Sequence, residues 1–205
     1  MSFPPEPTPS GLKRTAATPA LSHVIGFDDF PFRHEVARRD ISIVGTVYAG
    51  LRLEGVLRGQ IRKDGANATR NLMRLIEESK FATRIQVVLL QGIALGGFNV
   101  VDIHGLNAAL GVPVLVIARR APHMESVESA LLHHVPGGAR KWRLIQRAGP
   151  MEPVSGVWVQ RAGLSREDAT ALIARLAIHG AIPEPLRVAH LIAGAMATGQ
   201  SRGRT

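Results

Sequence analysis

Apolar residues in this chain fall first into three short extended runs and then into alternating strand and helix segments. The first run, Ser22 to Phe27, is stopped by Asp28-Asp29 and Pro31. Ile41 to Ala49 and Leu51 to Ile61 follow. In the latter, Leu51, Leu53, Leu57 and Ile61 stand at odd positions among polar residues, the two-residue period of a half-buried strand. The Ala49-Gly50 junction is short enough only for a hairpin, so these strands are antiparallel. Asp64-Gly65 ends the third strand. Leu72, Leu75 and Ile76, at helical spacing and with Met73 adding apolar surface, predict an amphipathic helix over Asn67 to Lys80.

Beyond this point the pattern changes. Val87 to Leu90 and Val112 to Ala118 are apolar throughout, which marks strands covered on both faces in parallel α/β packing. Asn99 to Leu110 between them reads as a helix, and Met124 to His134 as another. Trp142 to Arg147 and Val157 to Gln160 read as strands. Ser165 to Ile178 is a helix with Ser165 and Asp168 at N-cap and N3, and Pro185 to Thr198 is the last helix, with Pro at its start. Right-handed crossovers place the fourth strand beside the first, giving a mixed five-stranded sheet of order 3-2-1-4-5 flanked by helices, with further strands and helices after it. Direction reverses between strands one and four, and open α/β sheets bind ligands at such a point, beyond the strand carboxyl ends. Asp28, Gln91 and Asp64 converge there. This is the arrangement of a ribonuclease H-like α/β fold.

Composition narrows the chemistry. The chain has 205 residues, with 25 Lys and Arg against 16 Asp and Glu, a formal charge of +9 that suits polyanionic partners, nucleic acid before anionic membrane. Arginine supplies 21 of those cations, which favours planar phosphate recognition. With no cysteine, disulfides, thiolate zinc sites and Cys nucleophiles are excluded, and a reducing, cytoplasmic location is expected. The most apolar stretch, Ile85 to Ile103, is interrupted by Gln86, Gln91, Asn99 and Asp102, so no membrane span is expected. Residues 1–20 hold five of the thirteen prolines and read as a disordered tail ahead of one domain over residues 21–205.

Several runs carry a family resemblance. Val24-Ile25-Gly26-Phe27-Asp28-Asp29-Phe30-Pro31-Phe32, Leu53-Glu54-Gly55-Val56-Leu57, Asp64-Gly65-Ala66-Asn67-Ala68-Thr69 and Gly96-Gly97-Phe98-Asn99-Val100-Val101-Asp102-Ile103 resemble the endonuclease V-like group. So does Pro183-Glu184-Pro185-Leu186-Arg187-Val188-Ala189-His190. They look most like the branch first known as a domain of unknown function and then as endonuclease dU. The resemblance implies a Mg²⁺- or Mn²⁺-dependent endonuclease acting on deaminated DNA, with deoxyuridine as the associated lesion. It implies metal ligation by Asp28 and Asp64, with Asp29 beside Asp28 able to orient a water. Asp28 ends a buried strand, where a carboxylate is costly unless hydrogen-bonded or metal-bound; its other reading is a turn residue. For Asp64 the alternative is an ordinary Asp-Gly turn.

Gln91 departs from the family pattern, which has Asp after the fourth strand. An amide offers one neutral carbonyl oxygen, whereas two ions ~4 Å apart need shared carboxylates to offset their repulsion. A one-metal site, a weakened enzyme, or a catalytically degenerate nucleic-acid-binding protein that keeps the fold all follow.

The remaining candidates are weaker. Gly96-Gly97-Phe98-Asn99 opens the predicted helix, so its N–H groups are placed to hold a phosphate. Asn99 and Asp102 have N-cap and N3 spacing, and helix capping is the favoured role for Asp102. Arg119-Arg120 and Arg140-Lys141-Trp142-Arg143 are candidate phosphate contacts with one aromatic for base stacking. Glu184, Arg187 and His190 recur along one helix face, where they are expected to pin the last helix to the rim. Glu54 reads as a solvated face and, through the family-like Leu-Glu-Gly run, as a second choice of ligand; His104 reads as an ordinary polar-face histidine ahead of a proton shuttle, and His133-His134 as a poor zinc site.

Overall fold

The computed structural model describes residues 21–32 and 40–202. The predicted tail over residues 1–20 lies outside them. The elements run β1 His23–Asp29, β2 Asp40–Ala49, β3 Arg52–Arg62, α1 Ala68–Glu77, β4 Val87–Gln91, β5 Ala94–Leu95, β6 Asn99–Val100, α2 Ile103–Leu110, β7 Val114–Ala118, α3 Met124–His134, α4 Gly138–Ala148, β8 Glu152–Val154, β9 Val157–Ala162, α5 Arg166–Leu176 and α6 Glu184–Thr198. The main sheet has the order β3-β2-β1-β4-β7-β9-β8, and β5 and β6 form a separate hairpin. The expected five-strand order is present at one side of this sheet. It is extended to seven strands because β9 pairs antiparallel to β7 and β8 pairs with β9.

Strands β1, β4 and β7 are parallel, and β3, antiparallel to β2, points the same way as β1. Their carboxyl ends therefore share one rim. Alternation along β1 divides the core in two. Ile25 and Phe27 face α1 and α2 with Val88, Leu90 and Leu72, whereas Val24 faces α5 and α6 with Leu89, Leu115 and Leu186. The continuous apolar runs of β4 and β7 are buried on both faces, as their sequences require. Among the described residues, no helix is long and apolar enough to cross a membrane.

Two sequence expectations are corrected. The Trp142–Arg147 segment is helical, part of α4, because the buried positions are Lys141, Ile145 and Ala148 at helical spacing, not the alternate residues Trp142 and Leu144. The Gly96-Gly97 pair opens no helix. Both residues have positive φ (55° and 84°) and form the tip of the β5–β6 hairpin, a common use of adjacent glycines. Helix α2 starts only at Ile103, with Asp102 as its N-cap and not at N3. The Ser165–Asp168 start of α5 is as expected, with the Ser165 hydroxyl accepting the Asp168 N–H and donating to the Asp168 carboxylate.

Helix α6 lies over β1 and β2. Its first turn sits against Gly26, where a Cβ would come within 2.7 Å of the Pro185 carbonyl carbon. Thr46, the partner of Gly26 across the β1–β2 ladder, donates its hydroxyl to the Pro185 carbonyl oxygen at 2.6 Å. The glycine is needed here for closeness. Gly26→Ala is expected to destabilise the fold by about 1–3 kcal/mol, the usual cost of overpacking a filled site. Urea unfolding followed by circular dichroism measures this, and an unchanged midpoint would show that α6 can stand off from β1.

Candidate active site

Three aspartates stand along the rim where β1 and β3 end. Asp28 is 4% exposed. Its Oδ1 accepts the Asp29 backbone N–H at 2.9 Å, and its Oδ2 lies 2.8 Å from Nδ1 of His190 on α6. That contact follows from how α6 is seated. From Pro185 to His190 the helix advances about 7.5 Å, and from Gly26 to Asp28 the strand advances about 6.7 Å. Helix and strand therefore keep pace, and the imidazole arrives opposite the carboxylate.

Asp29 turns toward the hairpin. Its Oδ2 accepts the Gly96 N–H at 2.6 Å. Burial first, and then the Asp28 charge, push its pKa up to about 6 despite the opposing backbone hydrogen bonds. Asp64 follows β3 in a turn of positive φ (50°), reached before α1 begins. Its Oδ1 accepts the Phe98 N–H at 2.8 Å and its own N–H donates to the Gly96 carbonyl at 2.9 Å. One peptide residue, Gly96, thus ties Asp29 to Asp64 through its N–H on one side and its C=O on the other. Gly97 leaves no room for a side chain, since a Cβ there would run into Asp64 Oδ1.

Gln91 ends β4, half-buried, paired with Ile117 of β7. It stands on the same rim and brings no charge to it.

Other expected contacts are reassigned. Gly96 cannot offer its N–H to a phosphate, because Asp29 holds it. Asn99 is fully buried. It accepts the Ala68 N–H at 3.0 Å and donates to Arg62 O and Asn67 Oδ1, each at 2.8 Å. It therefore caps α1 from a distant strand, a task that Asn67 itself does not perform. Lys141 is 3% exposed and is no surface phosphate contact. Its Nζ donates to the Asp64 carbonyl at 2.6 Å, bracing the turn from α4. Burial lowers its pKa, with the Asp64 charge acting the other way.

Arg119 and Arg120 are exposed where β7 ends, and Arg140 and Arg143 are exposed on α4. Asp102 accepts the Gly105 N–H and pairs with Arg147. Burial raises its pKa, yet these partners hold its carboxyl below the usual aspartate range. It caps α2. Glu184 is gripped by both Arg187 Nε and Nη2, each at 2.7 Å, and lies 3.0 Å from His179 Nδ1. From sequence His190 groups with this pair as a structural residue. Its contact with Asp28 went unseen, although the spacing of Glu184, Arg187 and His190 already put all three along one helix face.

Among the described residues, no three His, Asp or Glu side chains are gathered to hold a cation. Mg²⁺ commonly takes one or two protein carboxylates and leaves its other positions to water and substrate phosphates. Asp28 and Asp29, adjacent and all-oxygen in donor character, and Asp64, joined to them through Gly96, fit a hard divalent cation of that kind.

Two predictions follow from these contacts. Asn99→Leu strands the Ala68 N–H and removes the donor to Arg62 O, costing about 1–3 kcal/mol for each unsatisfied group; protection of the α1 amides in hydrogen exchange reports it. The Arg187 pair, ahead of the opposing effect of burial, lowers the Glu184 pKa. The stabilisation is therefore present above the ordinary glutamate pKa and is lost as pH falls through the depressed folded-state value. Glu184→Gln should flatten that part of the acid limb in stability measured against pH; an unaltered acid limb would refute the assignment.

The family profile described as endonuclease dU matches residues 20–197. A UPF0215 protein of Deinococcus radiodurans is 55% identical over 188 residues, covering 92% of this chain and 95% of that protein. A UPF0215 protein of Methanosarcina barkeri is 42% identical over 186 residues, covering 88% and 93%. The crystal structure of a protein of unknown function from Archaeoglobus fulgidus superposes with a TM-score of 0.80 at 35% identity, covering 86% of this chain and 99% of that one. Endonuclease V from Bacillus subtilis, at 14% identity and a TM-score of 0.55 over 92% of this chain and 86% of its own, shares the fold. A matched profile over most of the length and relatives well above the level of chance likeness lead to one conclusion: the chain belongs to the endonuclease dU family.

Proposed function

We propose that this chain is a metal-dependent endonuclease that hydrolyses a phosphodiester bond beside a deaminated base, deoxyuridine or a related lesion, in DNA repair. The observation that carries the reading is the placement of Asp28, Asp29 and Asp64 along the rim at the switch in strand direction, with Asp28 held by His190 and Asp29 linked to Asp64 through the Gly96 peptide. Family membership supports it, as does the shared fold of Ciona intestinalis endonuclease V, which was crystallised with DNA containing an inosine.

In this reading Asp28 and Asp64 would hold a Mg²⁺ or Mn²⁺ ion, with Asp29 beside them. Such an ion supplies Lewis-acid stabilisation of charge developing on phosphoryl oxygens. His190 orients the Asp28 carboxylate. Backbone donors from Gly96 and Phe98 orient Asp29 and Asp64, so these carboxylates need not reorganise when substrate arrives. Lys141, held on the Asp64 carbonyl, adds positive potential below the rim. Gln91 leaves the site one anionic ligand short of a shared two-metal arrangement, which favours a single ion.

The test is cleavage of end-labelled oligonucleotides carrying one deoxyuridine or deoxyinosine, beside undamaged controls, with Mg²⁺ or Mn²⁺. Lesion-dependent cutting by the wild type, abolished by Asp28→Ala, is the expected outcome. Cutting by Gln91→Asp alone would instead identify a degenerate nuclease that keeps the scaffold. Inactivity of both proteins would overturn the catalytic reading.

A further inference from the structure

The side of the rim occupied by the substrate strand can be read from the outer edge of the sheet. Strand β3 is the terminal strand on this side. Its odd positions turn toward α1, with Ile61 buried and Gly59 tight against Leu75. Its even positions near the rim, Arg58, Gln60 and Arg62, are exposed.

Two recesses meet there, sharing Asp40 and Arg58 as a common wall. The first, of about 450 Å³, is lined by Phe30, Phe32 and Met196 with Arg58 and Lys63. Its volume falls within the roughly 300–1,000 Å³ of small-molecule sites. Phe30 follows Asp28-Asp29 directly in the chain, and Lys63 lies 5.8 Å from the Phe32 ring centroid. The second, of about 540 Å³, carries Arg58, Arg62 and Arg74 among the amides of Asn67 and Asn71.

The arginines are lightly engaged. Arg62 reaches Asp40 at 3.4 Å and Arg74 reaches Glu78 at 3.5 Å, both between exposed side chains, and Arg58 reaches Ser42 at 3.3 Å. Long exposed pairs of this kind contribute little and yield readily to a phosphate, which a guanidinium binds with two parallel hydrogen bonds. Aromatic walls beside cations are what an unstacked base with its backbone requires. The arginines expected from sequence, Arg119, Arg120, Arg140 and Arg143, are exposed but are part of neither recess.

We propose that single-stranded DNA leaves the acidic rim over the β3 edge, with one unstacked base in the Phe30–Phe32–Met196 recess and phosphates on Arg58, Arg62 and Arg74. This track rests on the nuclease reading for its choice of ligand, and its test separates the two. Anisotropy of a fluorescein-labelled single-stranded deoxyoligonucleotide containing one deoxyuridine is followed in EDTA against salt, so no hydrolysis is involved. Three lost phosphate contacts in Arg58→Gln/Arg62→Gln/Arg74→Gln reduce the slope of log affinity against log salt by about 2.

A control triple, Arg52→Gln/Lys80→Gln/Arg84→Gln, removes the same charge at the other end of β3, where Arg52 lies about 20 Å from Arg58 and about 33 Å from Arg62 along the strand, and should leave the slope as it is. Phe32→Ala is expected to weaken binding about tenfold. Met196→Glu, at a position 64% exposed and so harmless to folding, should weaken it too. Equal slope losses in the two triples, wild-type affinity in both recess variants, or no binding by the wild type would overturn the track. Cleavage by the wild type that survives the first triple undiminished would contradict the track and leave the nuclease reading standing. Binding along the track without cleavage would do the reverse.

Discussion

The rim depends on the close approach of the last helix to the first strand. A single missing methyl group at Gly26 lets Pro185 come down onto β1, and Thr46 from the neighbouring strand fastens the carbonyl that this brings within reach. Because five residues of helix then cover nearly the same distance as two of strand, His190 meets Asp28. The carboxylate is buried at a strand end, where an unpartnered charge would be costly, and the imidazole together with the Asp29 N–H removes that cost. Local backbone geometry, helix packing and site electrostatics are here one continuous arrangement.

The other half of the rim is held differently. Asp29 and Asp64 are fixed by main-chain groups of the β5–β6 hairpin, which makes their positions insensitive to side-chain rotamers but dependent on the hairpin tip keeping its two left-handed residues. At Asp29 burial, and after it the Asp28 charge, outweigh these N–H donors, and its pKa stays raised. Positive charge enters this region chiefly through Lys141, which is committed to a carbonyl oxygen and leaves the carboxylates themselves uncovered.

The strand order of the meander and the parallel units was legible because hydrophobic period distinguishes half-covered from fully covered strands, and both kinds occur in clean form in β3, β4 and β7. Asp28 and Asp64 were legible as rim residues for the same reason. The Gly96–Asn99 segment was not, since two glycines followed by a capping residue read equally as a helix start and as a hairpin tip; the choice rests on Asn99 being needed elsewhere, as the remote cap of α1. Lys141 was read as a surface cation because composition cannot reveal that a backbone carbonyl awaits it in the interior. The Trp142 segment misled because alternation over a few residues is too short to separate a strand from an amphipathic helix.

The contacts that define the site also set the order in which it can be assembled. Asp64 meets Phe98 across 34 residues, Asp29 meets Gly96 across 67, Lys141 meets Asp64 across 77, and Asp28 meets His190 across 162. Loop closure at such separations comes late and slowly in folding. During synthesis from the N-terminus every acidic residue of the rim is therefore made before its partners, and Asp28 is completed last. A chain that stops before α6 contains all three aspartates, and its Asp28 has no imidazole to meet.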